Sequence, residues 1–209
     1  MTKIKICGLS RTEDIDMVNE FLPDYVGFVF AKSKRQISVE KAKELKKKLN
    51  PEIKAVGVFV NEEAKIIAEI ANQHIIDVIQ IHGDEDAAYC EQLRSLTQAP
   101  IIKAVRVKNE DDLAGIEKFD CDYYLFDTLN NEQYGGTGKA FDHSILYNKK
   151  IKKPFFVAGG INKDNVAAVI ETIKPFAVDT SGGVETDGIK DANRIKEFIK
   201  QGRIVGKND

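Results

Sequence analysis

The chain has 209 residues, 43% of them hydrophobic, with 31 Lys and Arg against 33 Asp and Glu for a net charge of -2. That length supports one well-buried core and predicts one domain, while the interspersed, nearly balanced charge offers no basic face to nucleic acid or to a membrane surface. No apolar signal region opens the chain and no stretch reaches the roughly 18 apolar residues of a membrane span, so a soluble cytoplasmic protein is expected.

Apolar runs recur at 4–7, 25–30, 55–60, 78–81, 101–107, 123–126, 155–158 and 176–178. They are mostly apolar, with Lys5 and Lys103 falling inside them, as strands of a parallel sheet covered on both faces are. Between them lie charged stretches with helical spacing. Ser38 caps one that runs to Leu49, where Asn50-Pro51 stops it; Asn61, Asp84, Asn109, Asn162 and Asp191 open segments reaching Asn72, Leu96, Phe119, Ile173 and Lys200. Eight strands alternating with helices predict a closed (β/α)8 TIM barrel in preference to an open sheet. No dinucleotide fingerprint follows the first strand, where Cys7-Gly8-Leu9-Ser10 stands instead. Residues 202–209 are expected to form a frayed tail, and the lysine runs 46–48 and 149–153 to be solvated surface. Cys7, Cys90 and Cys121 are odd in number and scattered, so each reads as a free thiol.

Chemistry in a barrel sits where strands end and βα loops begin. The segment 155–185 reads as strand, diglycine turn, helix, strand and second diglycine turn. Backbone N–H groups of Gly159, Gly160, Ser181, Gly182 and Gly183 at neighbouring strand ends outline a phosphate cradle. Cys7 closes the first strand, with Gly8 expected to keep its thiol uncrowded; it is either a small buried hydrophobe or a base whose pKa must be brought down. Asp127 closes the sixth strand, where partial desolvation by the barrel mouth would raise its pKa and suit it to acid work, unless it merely caps its loop. Asp179 holds the matching place on strand eight, as ligand contact or as partner of the glycine turn. Arg35 could grip a carboxylate bidentately. His82 could donate to a ligand from the end of strand four, and the glycine-rich segment 134–138 could form a lid. His74, His82 and His143 lack metal-ligand spacing, so neither a metal nor an organic cofactor is expected.

With these residues placed, the chain resembles the phosphoribosylanthranilate isomerase family of tryptophan biosynthesis. The likeness is carried by Lys5-Ile6-Cys7-Gly8, Ser33-Lys34-Arg35-Gln36-Ile37-Ser38, Gln80-Ile81-His82-Gly83, Asp127, Gly135-Gly136-Thr137-Gly138, Ala158-Gly159-Gly160-Ile161-Asn162 and the segment 179–191, in that order. It implies an Amadori rearrangement of a phosphorylated aminosugar bearing anthranilate. Asp127 would be the general acid and Cys7 the general base, on opposite sides of the barrel mouth. Arg35 would hold the anthranilate carboxylate, Asp179 and His82 would contact sugar or ring, and the two glycine turns would bind phosphate. Two departures stand out: Gly182 replaces a common serine, and His143 a frequent tryptophan. The histidine-pathway isomerase is expected to pair aspartates where Cys7 and Asp127 stand. Indole-glycerol phosphate synthase needs lysines at strand ends, whereas Lys5 and Lys103 fall inside strands. A catalytically silent sugar-phosphate-binding barrel is the alternative of another class. Monomer and homodimer both suit a barrel of this size.

Overall fold

The computed structural model describes residues 1–127, 143–146 and 151–205. Eight parallel strands close into a barrel in sequence order: β1 (Lys3–Cys7), β2 (Tyr25–Val29), β3 (Lys54–Phe59), β4 (Val78–Ile81), β5 (Ile101–Arg106), β6 (Tyr123–Asp127), β7 (Phe155–Ala158) and β8 (Ala177–Thr180), with β8 paired back to β1. The expected TIM barrel is present. Helices α1 (Thr12–Phe21), α2 (Val39–Lys48), α3 (Ala64–Asn72), α4 (Ala87–Leu96), α5 (Val166–Ile173) and α6 (Ala192–Ile204) surround it. A two-residue hairpin, β9 (Glu185–Thr186) with β10 (Ile189–Lys190), follows the second diglycine turn.

Local chemistry explains the helix starts. Ser38, Asp86 and Asp191 each accept a backbone N–H three residues ahead, which satisfies one of the donors that a helix start leaves open. The segment after Asn109 departs from the expected helix. Asn109 does cap it, but Gly115 adopts φ 70° and divides it into two 3-10 turns, Glu110–Leu113 and Ile116–Lys118. At the carboxyl end α6 continues to Ile204 with Gly202 buried, so the expected tail does not begin at 202, and 206–209 lie outside the described residues. Neither lysine run is simply surface. Lys46 pairs with Asp77, and Lys153 Nζ donates to the carbonyls of Phe119 and Cys121, both at 2.8 Å.

Side-chain parity divides the apolar material into two layers. Ile4, Ile6, Val26, Phe28, Phe126, Val157 and Val178 point outward into the helix layer and are buried there. Val56, Val78, Ile102, Leu125, Phe156 and Ala177 point inward and plug the amino-terminal half of the barrel, where Phe156 meets Tyr25, Tyr123 and Phe176 edge-on or tilted at 5.5–5.7 Å. This apolar floor leaves only the carboxyl-terminal half for polar side chains. Among the described residues no helix is long and apolar enough to cross a membrane.

Candidate active site

The carboxyl ends of the strands surround a cavity of about 550 Å³. Its wall includes Cys7 from β1, Gln80 from β4, His82 just beyond it, Asp127 from β6 and Asp179 from β8. Around the closed ring, the shorter path from β6 to β1 passes over β7 and β8. Cys7 and Asp127 therefore face each other across the mouth from strands three steps apart in the ring, one step short of diametrically opposite. The two diglycine turns occupy the arc between them.

All three cysteines are free thiols. Room for the Cys7 thiol comes from across the ladder. Gly27 is its register partner, and a Cβ there would lie 2.5 Å from Sγ. Gly8, expected to provide that room, instead turns at φ 82° and accommodates Arg35, whose Cδ would lie 2.4 Å from a Cβ. Burial pushes the Cys7 thiol above its ordinary range, while the ammonium groups of Lys5 and Lys190 oppose that rise.

Below the thiol lies a buried polar layer. Lys5 Nζ donates to Asp179 Oδ2 at 2.7 Å and to Gln80 Oε1 at 2.9 Å. Gln80 Nε2 lies 2.8 Å from His82 Nδ1, and His82 Nε2 lies 3.2 Å from Asp127 Oδ2. Both ring nitrogens of His82 thus have protein partners. Asp179 is engaged by a lysine and not by the adjoining glycine turn, and its Oδ1 is buried with no partner among the described residues. Desolvation pushes the Asp179 carboxyl up, against the pull of Lys5. On the outer side of the barrel, Lys103 pairs with Glu85 at 2.9 Å, and Glu85 accepts the N–H groups of Gly83 and Asn61. That buried pair fixes the turn directly after His82.

Arg35 reaches the same cavity, with its fork on Glu185: Nε to Oε1 and Nη2 to Oε2, each 2.7 Å. Lys190, itself buried, holds Glu185 from the other side at 2.7 Å. Burial raises the Glu185 carboxyl, but the hydrogen bonds from Arg35 and Lys190 outweigh it and bring the group down to about 2. A folded-state value below the ordinary one contributes stability that is present above about 4.5 and lost as pH falls through about 2. Glu185→Gln is accordingly expected to lose less stability than the parent chain across that window, as read from urea midpoints at a series of pH values.

The two diglycine turns, expected to bind phosphate, have backbone arrangements that favour glycine. Gly159 and Gly160 take φ 99° and 66°, a region that L side chains rarely enter. Their N–H groups find no acceptor among the described residues. Gly182 and Gly183 open a 3-10 turn, and a Cβ on Gly183 would come within 2.1 Å of the Ile161 carbonyl, so the two turns can abut only through glycine. Thr180 Oγ1 donates to that same carbonyl at 2.6 Å, and Ser181 Oγ donates to the Cys7 carbonyl at 2.9 Å. The cradle is thereby tied to the strand that carries the thiol. The anticipated lid at 134–138 lies outside the described residues. Among the described residues no three His, Cys, Asp or Glu side chains converge as metal ligands.

The strand-end residues are legible in the sequence, but the roles of Gln80, Gly27, Glu185 and Lys190, which support them, are not, and Lys5 shows there only as a charge inside a strand. The available signal was Lys5 itself, since a charged residue in a strand covered on both faces must be buried against a partner.

Fold and site together define a (β/α)8-barrel enzyme with a thiol and a carboxyl flanking two diglycine turns. A family model described as N-(5'-phosphoribosyl)anthranilate (PRA) isomerase matches residues 4–201. The N-(5'-phosphoribosyl)anthranilate isomerase of Thermoanaerobacter pseudethanolicus is 48% identical over 205 residues, covering 98% of this chain and 100% of that protein. The crystal structure of phosphoribosyl anthranilate isomerase from Thermotoga maritima superposes with a TM-score of 0.87 at 40% identity, covering 97% of this chain and 99% of that one. A phosphoribosyl anthranilate isomerase in complex with reduced 1-(o-carboxyphenylamino)-1-deoxyribulose 5-phosphate superposes at 0.82, with 36% identity and the same coverage. The chain belongs to the N-(5'-phosphoribosyl)anthranilate isomerase family.

Proposed function

We propose that this chain catalyses the Amadori rearrangement of N-(5-phosphoribosyl)anthranilate to 1-(2-carboxyphenylamino)-1-deoxyribulose 5-phosphate in tryptophan biosynthesis, with Asp127 as general acid and Cys7 as general base. The observation that carries this reading is the placement of the cradle on the arc between those two residues, inside one cavity. A phosphate on the β7 and β8 turns leaves the sugar within that cavity, bounded by the carboxyl on one side and the thiol on the other.

Asp127 gives its proton to the furanose ring oxygen as the C1–O bond breaks, and the nitrogen lone pair closes the C=N bond of an open-chain iminium. Cys7, as thiolate, takes the C2 proton. The C–H electrons become the C1–C2 double bond and the C=N electrons return to nitrogen, giving an enolamine that tautomerises to the ketone. Each step moves one proton and needs only an acid and a base of suitable placement. Asp179 Oδ1, buried and unpartnered among the described residues, is the acceptor for a sugar hydroxyl. Arg35 holds the anthranilate carboxylate once its fork turns from Glu185, exchanging one bidentate carboxylate for another. The cradle comprises Gly159, Gly160, Ser181, Gly182 and Gly183, and Gly182 leaves contact on that turn to backbone groups.

Adding the protein to freshly made phosphoribosylanthranilate should change the anthranilate-type fluorescence at a rate proportional to enzyme concentration and unaffected by chelator. An unchanged signal would favour a silent sugar-phosphate-binding barrel.

A further inference from the structure

The hydrogen-bonded chain Asp179, Lys5, Gln80, His82, Asp127, buried at its first three members and half-buried at the last two, has a direction that its donors and acceptors dictate. An ammonium has three donors and no acceptor. The Gln80 atom 2.9 Å from Lys5 Nζ must therefore be the amide oxygen, because a flipped amide would set NH2 against an ammonium. With Oε1 fixed on Lys5, Nε2 faces His82 Nδ1 at 2.8 Å and donates to it. An Nδ1 that accepts carries no proton. The imidazole proton is then on Nε2, 3.2 Å from Asp127 Oδ2, and the ring donates to the carboxyl.

We propose that Gln80, pinned by Lys5, is a positioning residue for the acid: it fixes His82 as the Nε2–H tautomer, so that His82 donates to Asp127 Oδ2 and the proton delivered to substrate rides on Oδ1. A carboxyl proton on Oδ2 would face the Nε2–H, donor against donor, so Oδ1 is the oxygen that can hold it. When that proton leaves, the His82 hydrogen bond becomes a charge-assisted one and strengthens as the carboxylate forms. The hydrogen bond is already in place before charge develops, which is the condition for lowering a barrier without reorganisation. Gln80 is 1% exposed, and Lys5 is fully buried, so water cannot substitute for either partner. The assignment of His82 is a structural one; its catalytic consequence rests on Asp127 being the acid.

The test is the tautomer itself, read by long-range 1H–15N correlation on protein with 15N-labelled histidine. The sequence has three histidines, and a His82→Asn sample identifies the relevant ring. The expected parent spectrum has His82 protonated on Nε2; an Nδ1–H ring overturns the proposal without any further variant. Gln80→Glu offers two acceptors, one to Lys5 and one to the ring, and should place the proton on Nδ1. The same variant should lower kcat about 10- to 100-fold, the scale of one hydrogen bond to a charged group, with KM within about threefold. Gln80→Met, of similar length and without a donor, should give a mixture of tautomers and a smaller loss in kcat. A parent-like ring signal in Gln80→Glu, or a shifted ring with unchanged kcat, would each refute the positioning role. Should Asp127→Asn retain full turnover while His82 shows the Nε2–H tautomer, the acid assignment fails and the tautomer assignment survives.

Discussion

Cys7→Ser and Asp127→Asn are each expected to lower kcat by at least about a hundredfold while KM moves by less than about threefold, the signature of removing a group that acts in the transition state and not in binding. Serine keeps the size and polarity of the thiol but ionises far less readily, so the C2 proton has no base of comparable strength. Burial raises the Cys7 thiol above its ordinary range, and two lysines offset only part of that rise. That makes the replacement more severe than in a solvated setting. Asparagine keeps the shape of Asp127 and its contact with His82 but has no acidic proton for the ring oxygen. Steady-state kinetics with the fluorescent substrate reads both variants, and titration with product, whose phosphate and carboxylate are held elsewhere, checks that the site is intact. If both variants turn over nearly as fast as the parent chain, the acid and base assignments are wrong.

The sequence was most informative where backbone chemistry alone decides the outcome. Short, largely apolar runs regularly spaced between helical segments read as strands buried on both faces, and Ser38 and Asp191 cap the helices that follow them. The first diglycine turn was legible for the same reason: glycine at 159 and 160 serves backbone conformations that other residues rarely adopt. What the sequence withheld depends on contacts between distant strands. Arg35 meets Glu185 and Cys7 meets Gly27 only through barrel closure and register, which no local pattern encodes. The helix expected after Asn109 failed through a local competitor, Gly115 in a left-handed conformation. The alternation Ile4-Lys5-Ile6-Cys7 held information about the polar layer, since two outward isoleucines force Lys5 and Cys7 to share the inner face. Reading that parity requires the strand already to be placed in a closed barrel.

Lys5 carries the largest expected effect on stability. Its ammonium is fully buried, and it pairs at 2.7 Å with Asp179, whose side chain is 7% exposed. Replacing a well-paired buried ion by an apolar residue leaves its partner uncompensated, so Lys5→Met should destabilise the fold by about 3–5 kcal/mol near neutral pH. The sign of the pH dependence follows from Asp179. Burial already raises its carboxyl above 3.8, and Lys5 is the main group opposing that rise. Without Lys5 the folded-state value climbs further above the unfolded one. Such a group contributes stability that is present below the ordinary aspartate range and lost as pH rises through the folded value. The deficit of Lys5→Met relative to the parent chain should therefore be small near pH 4 and grow toward pH 8, as measured by urea midpoints. Lys5→Met combined with Asp179→Leu removes both ions and should recover most of the lost stability. Activity should not return with it, because the double variant has also removed the acceptor for the sugar hydroxyl and released the Gln80 amide. A deficit independent of pH, or a double variant no more stable than the single one, would show that the pair does not stabilise the barrel through charge compensation.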